Sequence, residues 1–234
     1  MTPPVANDAR LQVPATDMLI VGGVALVATV FAGVAHSILV SGDDDFIYSP
    51  GAMAIIICTY VVMGGAAVWA ARRTGDARRA LGLVAPRSWP RAVGLALGTV
   101  ILALIVSAAL EPIFHGADAQ GVVPDHGRPP GFWPVAGVLL AYLAVAVAGP
   151  LVEELIFRGL LTAAFRRRFG PWRTALLTAA FFAAAHFIPR VMPAVFLLGL
   201  ALAFVYERVG STIPGILVHC LYNGIALTAA VTKH

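Results

Sequence analysis

Charge is what this sequence has least of. Asp, Glu, Lys and Arg make up 12 % of its 234 residues and hydrophobic side chains 59 %, against roughly 25 % and roughly 45–50 % in an ordinary soluble domain. That scarcity leaves too little polar surface to coat a soluble globule. It excludes soluble enzymes, secreted disulfide scaffolds and disordered regulators. Lysine is nearly absent: Lys233 stands alone, and arginine carries the formal net charge of +4. No basic–aromatic module accompanies the arginines, so nucleic acid is not an expected partner. Cysteine is limited to Cys58 and Cys220, which lie in apolar runs without CxxC or metal-type spacing. They read as small buried apolar residues. A basic n-region with a small-residue cleavage site is missing, so no removable leader is expected.

Long apolar runs are there instead. Residues 1–16, with Pro3, Pro4 and Pro14, read as a short mobile tail. The runs then cover 18–40, 52–71, 92–110, 133–157 (continuing towards Phe165), 172–187, 192–206 and 213–231. The first four are long enough for a hydrocarbon core of about 30 Å. The fifth and sixth are short, with Pro189 and Pro193 between them, and suit a thinned membrane or a partly buried hairpin. The expected fold is all-α, a polytopic transmembrane bundle of about seven helices, with 17–234 as one membrane domain. Its first partner is therefore the lipid bilayer.

Loop charges set the orientation. Asp43, Asp44 and Asp45 follow the first run, and Arg72, Arg73, Arg78, Arg79, Arg87 and Arg91 follow the second. Asp118 and Asp125, with only Arg128, follow the third, and Arg166, Arg167, Arg168 and Arg173 follow the fourth. Basic clusters on alternate loops predict a cytoplasmic N terminus, with the second, fourth and sixth loops on the same side. A bacterial inner membrane suits this pattern. Trp69, Trp89, Trp133 and Trp172 fall near span ends, as interfacial anchors do. The stretch 113–131 is the longest irregular loop.

Polar residues inside apolar runs are costly and by default point to function. His36, beside Ser37, stands alone and reads as an accommodated polar residue. The fourth run carries Glu153, Glu154 and Arg158. Glu154 and Arg158 are spaced i,i+4 and can pair. Glu153 is rotated about 100° from Glu154 and is left available. Gly149-Pro150 just upstream is expected to bend the helix or free a carbonyl. The fifth run ends on Phe182-x-x-x-His186, and the seventh carries His219-x-x-x-Asn223. Counted from the Gly170-Pro171 turn, Glu153 and His186 both lie roughly 25 Å along their helices. His219 and Asn223 lie about 13 and 20 Å from the next turn on that side, at Gly210. An acid, two imidazoles and an amide can therefore meet in one layer. The bland alternative is a helix-end charge cluster plus interhelical hydrogen bonds that only hold helices together.

A carboxylate and an imidazole at one site can activate water, and a second imidazole and an amide can stabilise an oxyanion. Glu153, His186 and His219 are equally a possible Zn2+ ligand set with an open position. Either chemistry hydrolyses an amide bond in the membrane. In order, Glu153-Glu154-x-x-x-Arg158, Phe182-x-x-x-His186 and His219-x-x-x-Asn223 resemble the CPBP family of CAAX-processing and bacteriocin-processing (Abi) intramembrane endopeptidases. The segment Tyr206-Glu207-Arg208-x-Gly210-Ser211-x-x-Pro214-x-Ile216-x-x-His219-x-x-x-Asn223 is similar to that family's last motif. The resemblance covers about 133–231. It implies an all-helical membrane endopeptidase acting on a peptide or protein substrate. Glu153 and His186 would activate water, His219 and Asn223 would support the oxyanion, and Glu154 and Arg158 would shape the site. His219 joining a metal is the family's other described possibility. HExxH, a GxSG serine and a GxGD aspartate pair are absent, so other membrane-protease classes fit less well. The competing readings are a non-catalytic immunity or scaffold protein and a small transporter, the latter lacking an inverted repeat.

Overall fold

The computed structural model describes residues 13–39, 50–115 and 135–232. Most of the tail, the Asp43–Asp45 loop, Trp133 and most of the 113–131 stretch lie outside them, as does the His36 side chain. The described chain is helical throughout, with no strand among the described residues. Its helices are α1 (Ala15–Leu39), α2 (Pro50–Arg72), the single turn α3 (Ala77–Ala80), α4 (Trp89–Phe114), α5 (residues 135–166), α6 (Pro171–Ala184), α7 (Met192–Val209) and α8 (Ile213–Thr232). Seven of these correspond to the seven apolar runs. The additional turn α3 is capped by Asp76, whose side chain accepts from the Arg79 N–H at 3.1 Å.

Ala15–Ala35, Gly51–Arg72, Trp89–Phe114, Ala136–Arg166 and Met192–Val209 are long and apolar enough to cross a membrane, and Ile213–Ala229 is a shorter apolar helix. The sixth run thus proves longer than its composition suggests. Glu207 and Arg208 continue the helix until Gly210, at φ +73, ends it with its N–H on the Tyr206 carbonyl. At 14 residues α6 remains too short to span. It pairs with α7 as a hairpin. Gly199 makes this close: a Cβ there would lie 3.1 Å from both Ala179 Cα and Phe182 Cδ1. Outward-facing Leu19, Phe31, Ile105 and Leu217 are exposed, as lipid-facing side chains must be. Cys58 is exposed too, against the expectation of burial, because it falls on the outer face of α2.

Sequence-distant segments meet at one face of the bundle. Arg73, at the end of α2, pairs with Asp17 near the start of α1 at 2.7 Å. Ser211 Oγ donates to the Val84 carbonyl at 2.7 Å, and the Thr212 N–H donates to the Gly82 carbonyl at 3.0 Å. Gly82 sits at φ +67, where a Cβ would press Thr212 Cγ2 at 2.8 Å. Arg166, ending α5, meets Glu207 near the end of α7 at 3.3 Å. The first helix start and the second, fourth and sixth connections therefore share a side, as alternating loop charge requires.

Helix α5 is not a uniform α-helix. Tyr142–Ala148 and Leu155–Leu161 are π-helical and flank an α-helical Gly149–Glu154. Pro150 explains the first interruption, since it has no N–H and its ring crowds the carbonyl four residues back. The Gly149 N–H goes to the Ala144 carbonyl, five residues back. Val145 therefore receives nothing from Gly149, and Pro150 has nothing to give. Asn223 Nδ2, from α8, donates to that carbonyl at 3.0 Å. In the second π segment, Thr162 Oγ1 donates to the Phe157 carbonyl at 2.8 Å.

Candidate active site

Between the two π segments, α5 presents neighbouring acids to opposite surroundings. Glu154 is fully buried, with Arg158 Nη1 at 2.7 Å from its Oε1. Arg158 is buried equally deeply; its Nη2 donates to the Gly199 carbonyl at 3.0 Å, and its guanidinium lies 4.6 Å from the Phe182 ring centre. The i,i+4 pairing expected from spacing is present. Glu154 Oε2 points at the first turn of α8, into room left by Gly215, where a Cβ would stand 2.8 Å from it. A buried carboxylate at a helix N terminus also gains from the helix dipole.

Glu153 is less enclosed, its side chain 15 % exposed against 0 % for Glu154. It is not without partners, as its rotation away from Arg158 had suggested. Tyr60 Oη on α2 donates to Glu153 Oε1 at 3.2 Å. His219 joins the two acids, with Nδ1 3.4 Å from Glu154 Oε1 and Nε2 3.8 Å from Glu153 Oε2. Its side chain is only 2 % exposed.

Phe182 is the common wall. Its ring is fully buried and meets Phe157, His186 and His219 edge-on at centre distances of 5.2, 5.0 and 5.6 Å. His186 lies in the turn after α6 rather than in the helix, followed by Phe187 at φ +54. Its Nδ1 is 2.8 Å from the Phe182 carbonyl. A carbonyl only accepts, so Nδ1 carries the hydrogen and a neutral ring keeps its lone pair on Nε2. That nitrogen is the one suited to act as a base.

The predicted residues thus fall into three roles of contact. Glu153, Glu154, Arg158 and His219 form one connected polar cluster. His186 reaches it through the Phe182 ring. Asn223 sits on the same face of α8 as His219, but one of its amide hydrogens serves Val145. Among the described residues no three His, Cys, Asp or Glu side chains are placed to hold a metal ion together. The Zn2+ ligand set of Glu153, His186 and His219 is therefore not assembled here. Tyr60 and the cradling roles of glycines 149, 199 and 215 escape sequence reasoning. Tyr60 is a single hydroxyl in an apolar run, and a glycine's value depends on what approaches it.

A bundle of membrane-length apolar helices closing over two acids, an arginine and an imidazole defines the class: a polytopic helical membrane protein with an internal polar site. Residues 134–225, which hold the whole of that cluster but not Tyr60, match the family described as "Type II CAAX prenyl endopeptidase Rce1-like". The match falls within the stretch, about 133–231, over which the sequence resembles the CPBP family. An "Uncharacterized 24.3 kDa protein" of Escherichia coli is 28 % identical over 128 residues, which is 53 % of this chain and 54 % of that protein. The chain thus spans about half the length of that curated relative. No solved structure matches.

Proposed function

We propose that the protein is an intramembrane endopeptidase that hydrolyses a peptide bond of a membrane-associated substrate of the CAAX type, named in its family's description, or of a bacteriocin-related kind. The observation that carries this is the contrast within the acid pair. Glu154 is committed to Arg158, whereas Glu153 keeps partial exposure and only hydrogen-bonding neighbours. In this reading Glu153 takes a proton from water, assisted by Nε2 of His186, whose ring packs on Phe182. The oxygen attacks the scissile carbonyl carbon, whose oxygen becomes an oxyanion. His219 and the amide hydrogen of Asn223 not used on Val145 meet that charge. Collapse breaks the C–N bond, and the proton held by the base passes to the leaving amine. Glu154 and Arg158 hold α5 against α7 and α8. The protein sits in a bacterial inner membrane with its N terminus in the cytoplasm, the arginine-rich face inward.

The test uses purified protein in lipid nanodiscs and a fluorogenic peptide ending in a farnesylated CAAX sequence, beside its unprenylated counterpart. Wild type is expected to cleave, and Glu153→Gln and His186→Ala to lose cleavage by about 10²-fold or more. Cleavage undiminished in Glu153→Gln overturns the assignment. Folded wild-type protein that cleaves neither peptide turns the polar cluster into the core of an immunity or scaffold protein.

A further inference from the structure

Tyr60 belongs to α2, outside the segment 134–225 that matches the family, and no sequence motif marks it. Its hydroxyl nevertheless makes the one hydrogen bond described for the Glu153 carboxylate, at 3.2 Å to Oε1. The seat for this ring is built into α5. At Gly149 a Cβ would come within 2.9 Å of both Tyr60 Cζ and Tyr60 Oη. Any larger residue at 149 would push the phenol away, and Gly149 lies one turn before Glu153 on the same helix. The neighbouring Gly64, on α2, lets Val152 approach to 3.1 Å of its missing Cβ. Helix α2 therefore packs against the α-helical stretch between the π segments through two close contacts, Tyr60 on Gly149 and Gly64 against Val152, one turn apart along α2. The Tyr60 hydroxyl is delivered to Glu153 by this packing.

We propose that Tyr60 is a positioning residue of the site: its hydroxyl fixes Glu153 Oε1, so that Oε2, turned towards His219, is the oxygen that meets water. The chemistry follows from the inventory of bonds. A phenol has one hydrogen to donate, and a carboxylate oxygen that accepts it is held in place and is less free to take a proton. A carboxylate with one oxygen tied presents the other in a single orientation, which is what a general base needs. The first helices of the chain, which match the family's pattern only as spans, thus supply part of the site. The consequence for catalysis rests on Glu153 being the base, whereas the contact itself does not.

The experiment compares Tyr60→Phe, which keeps the ring and removes only the hydroxyl, with Gly149→Ala, which keeps the hydroxyl and displaces it. Each is measured in nanodiscs with the farnesylated peptide. Tyr60→Phe is expected to lower kcat roughly tenfold or more, the worth of a hydrogen bond to a charged group, with KM unchanged. Gly149→Ala should fall in the same direction, and the two together should cost no more than the larger alone. A second readout needs no turnover. The infrared carboxylate stretch that Glu153→Gln removes should shift in Tyr60→Phe. An unmoved band, or wild-type kcat in Tyr60→Phe while Glu153→Gln is inactive, overturns the role of Tyr60. Cleavage that survives Glu153→Gln overturns instead the reading of Glu153 as base, and the infrared band still decides the contact.

Discussion

Glu153 and Glu154 are adjacent in sequence, yet they face two different regions of the molecule. On the Glu154 side lie Arg158, the Gly199 carbonyl and the first turn of α8, and nothing of the carboxylate reaches the surface. On the Glu153 side lie the Tyr60 hydroxyl and an edge of His219, with part of the side chain still accessible. A helix turns about 100° per residue, and in this bundle that angle separates a carboxylate paired with arginine from one that stays partly accessible. The histidines repeat the contrast. His219 is enclosed between the acids, whereas His186 stands in a turn with its Nδ1 tied to the Phe182 carbonyl.

The sharpest way to break this comparison is to orphan the structural acid. Arg158→Leu leaves Glu154 buried without a counter-charge and should cost about 3–5 kcal/mol, read as a lower midpoint of helicity loss on SDS titration in mixed micelles. Replacing both partners, as Glu154→Leu with Arg158→Leu, should return much of that loss, because a packed apolar pair needs no desolvation. If the double replacement is as damaged as the single one, the pair does more than neutralise itself.

Next in size is Gly215→Ala. The added Cβ would meet Glu154 Oε2 at 2.8 Å, and Arg158 keeps the carboxylate from withdrawing. Overpacking of this kind costs about 1–3 kcal/mol. Gly65→Ala on α2, where nothing lies within 4 Å of the new carbon, is the control and should leave the midpoint nearly unchanged. Equal effects at the two positions would mean that Glu154 is not confined by α8.

Much of this division is legible in the amino-acid sequence. The spacing of Glu154 and Arg158 announces a pair, and composition and loop arginines announce a membrane bundle with alternating sides. The Pro150 interruption is also foreseeable, because a missing N–H is a property of the residue. What receives the freed carbonyl is not, since Asn223 lies 78 positions from Val145 and only packing brings α8 across. The same holds for Tyr60, 93 positions from Glu153. Local periodicity reports which face of a helix a residue occupies, whereas partners across helices depend on which faces are brought together. His186 shows the complementary limit. Its helical spacing from Phe182 is readable, but α6 ends at Ala184, so the imidazole is placed by a turn.

A smaller effect tests the Asn223 side of the site. Asn223→Ala leaves the half-buried Val145 carbonyl without its donor, and a polar group left unsatisfied away from water costs up to about 1–3 kcal/mol. Pro150→Ala supplies a main-chain N–H at the position that lacked one. In that background Asn223→Ala should cost clearly less, a coupling that a double-mutant cycle on the unfolding midpoint detects. Additive losses would show that Asn223 and Pro150 do not share the Val145 carbonyl.

The smallest effect isolates burial as the cause. Asp76 and Arg79 form another acid–arginine pair within one helical turn, 3.7 Å apart, but with side chains 47 % and 59 % exposed. Water solvates both ions before and after pairing, and salt screens what attraction is left. Arg79→Gln should therefore move the unfolding midpoint by no more than about 0.5 kcal/mol, and less still at high salt. Arg158→Leu should keep its full cost at any ionic strength, because no counter-ion reaches Glu154. The two pairs have similar covalent parts and spacing, so a large, salt-insensitive loss in Arg79→Gln would mean that sequence proximity governs these pairs. A small, salt-sensitive one assigns the difference to the helices packed around Glu154.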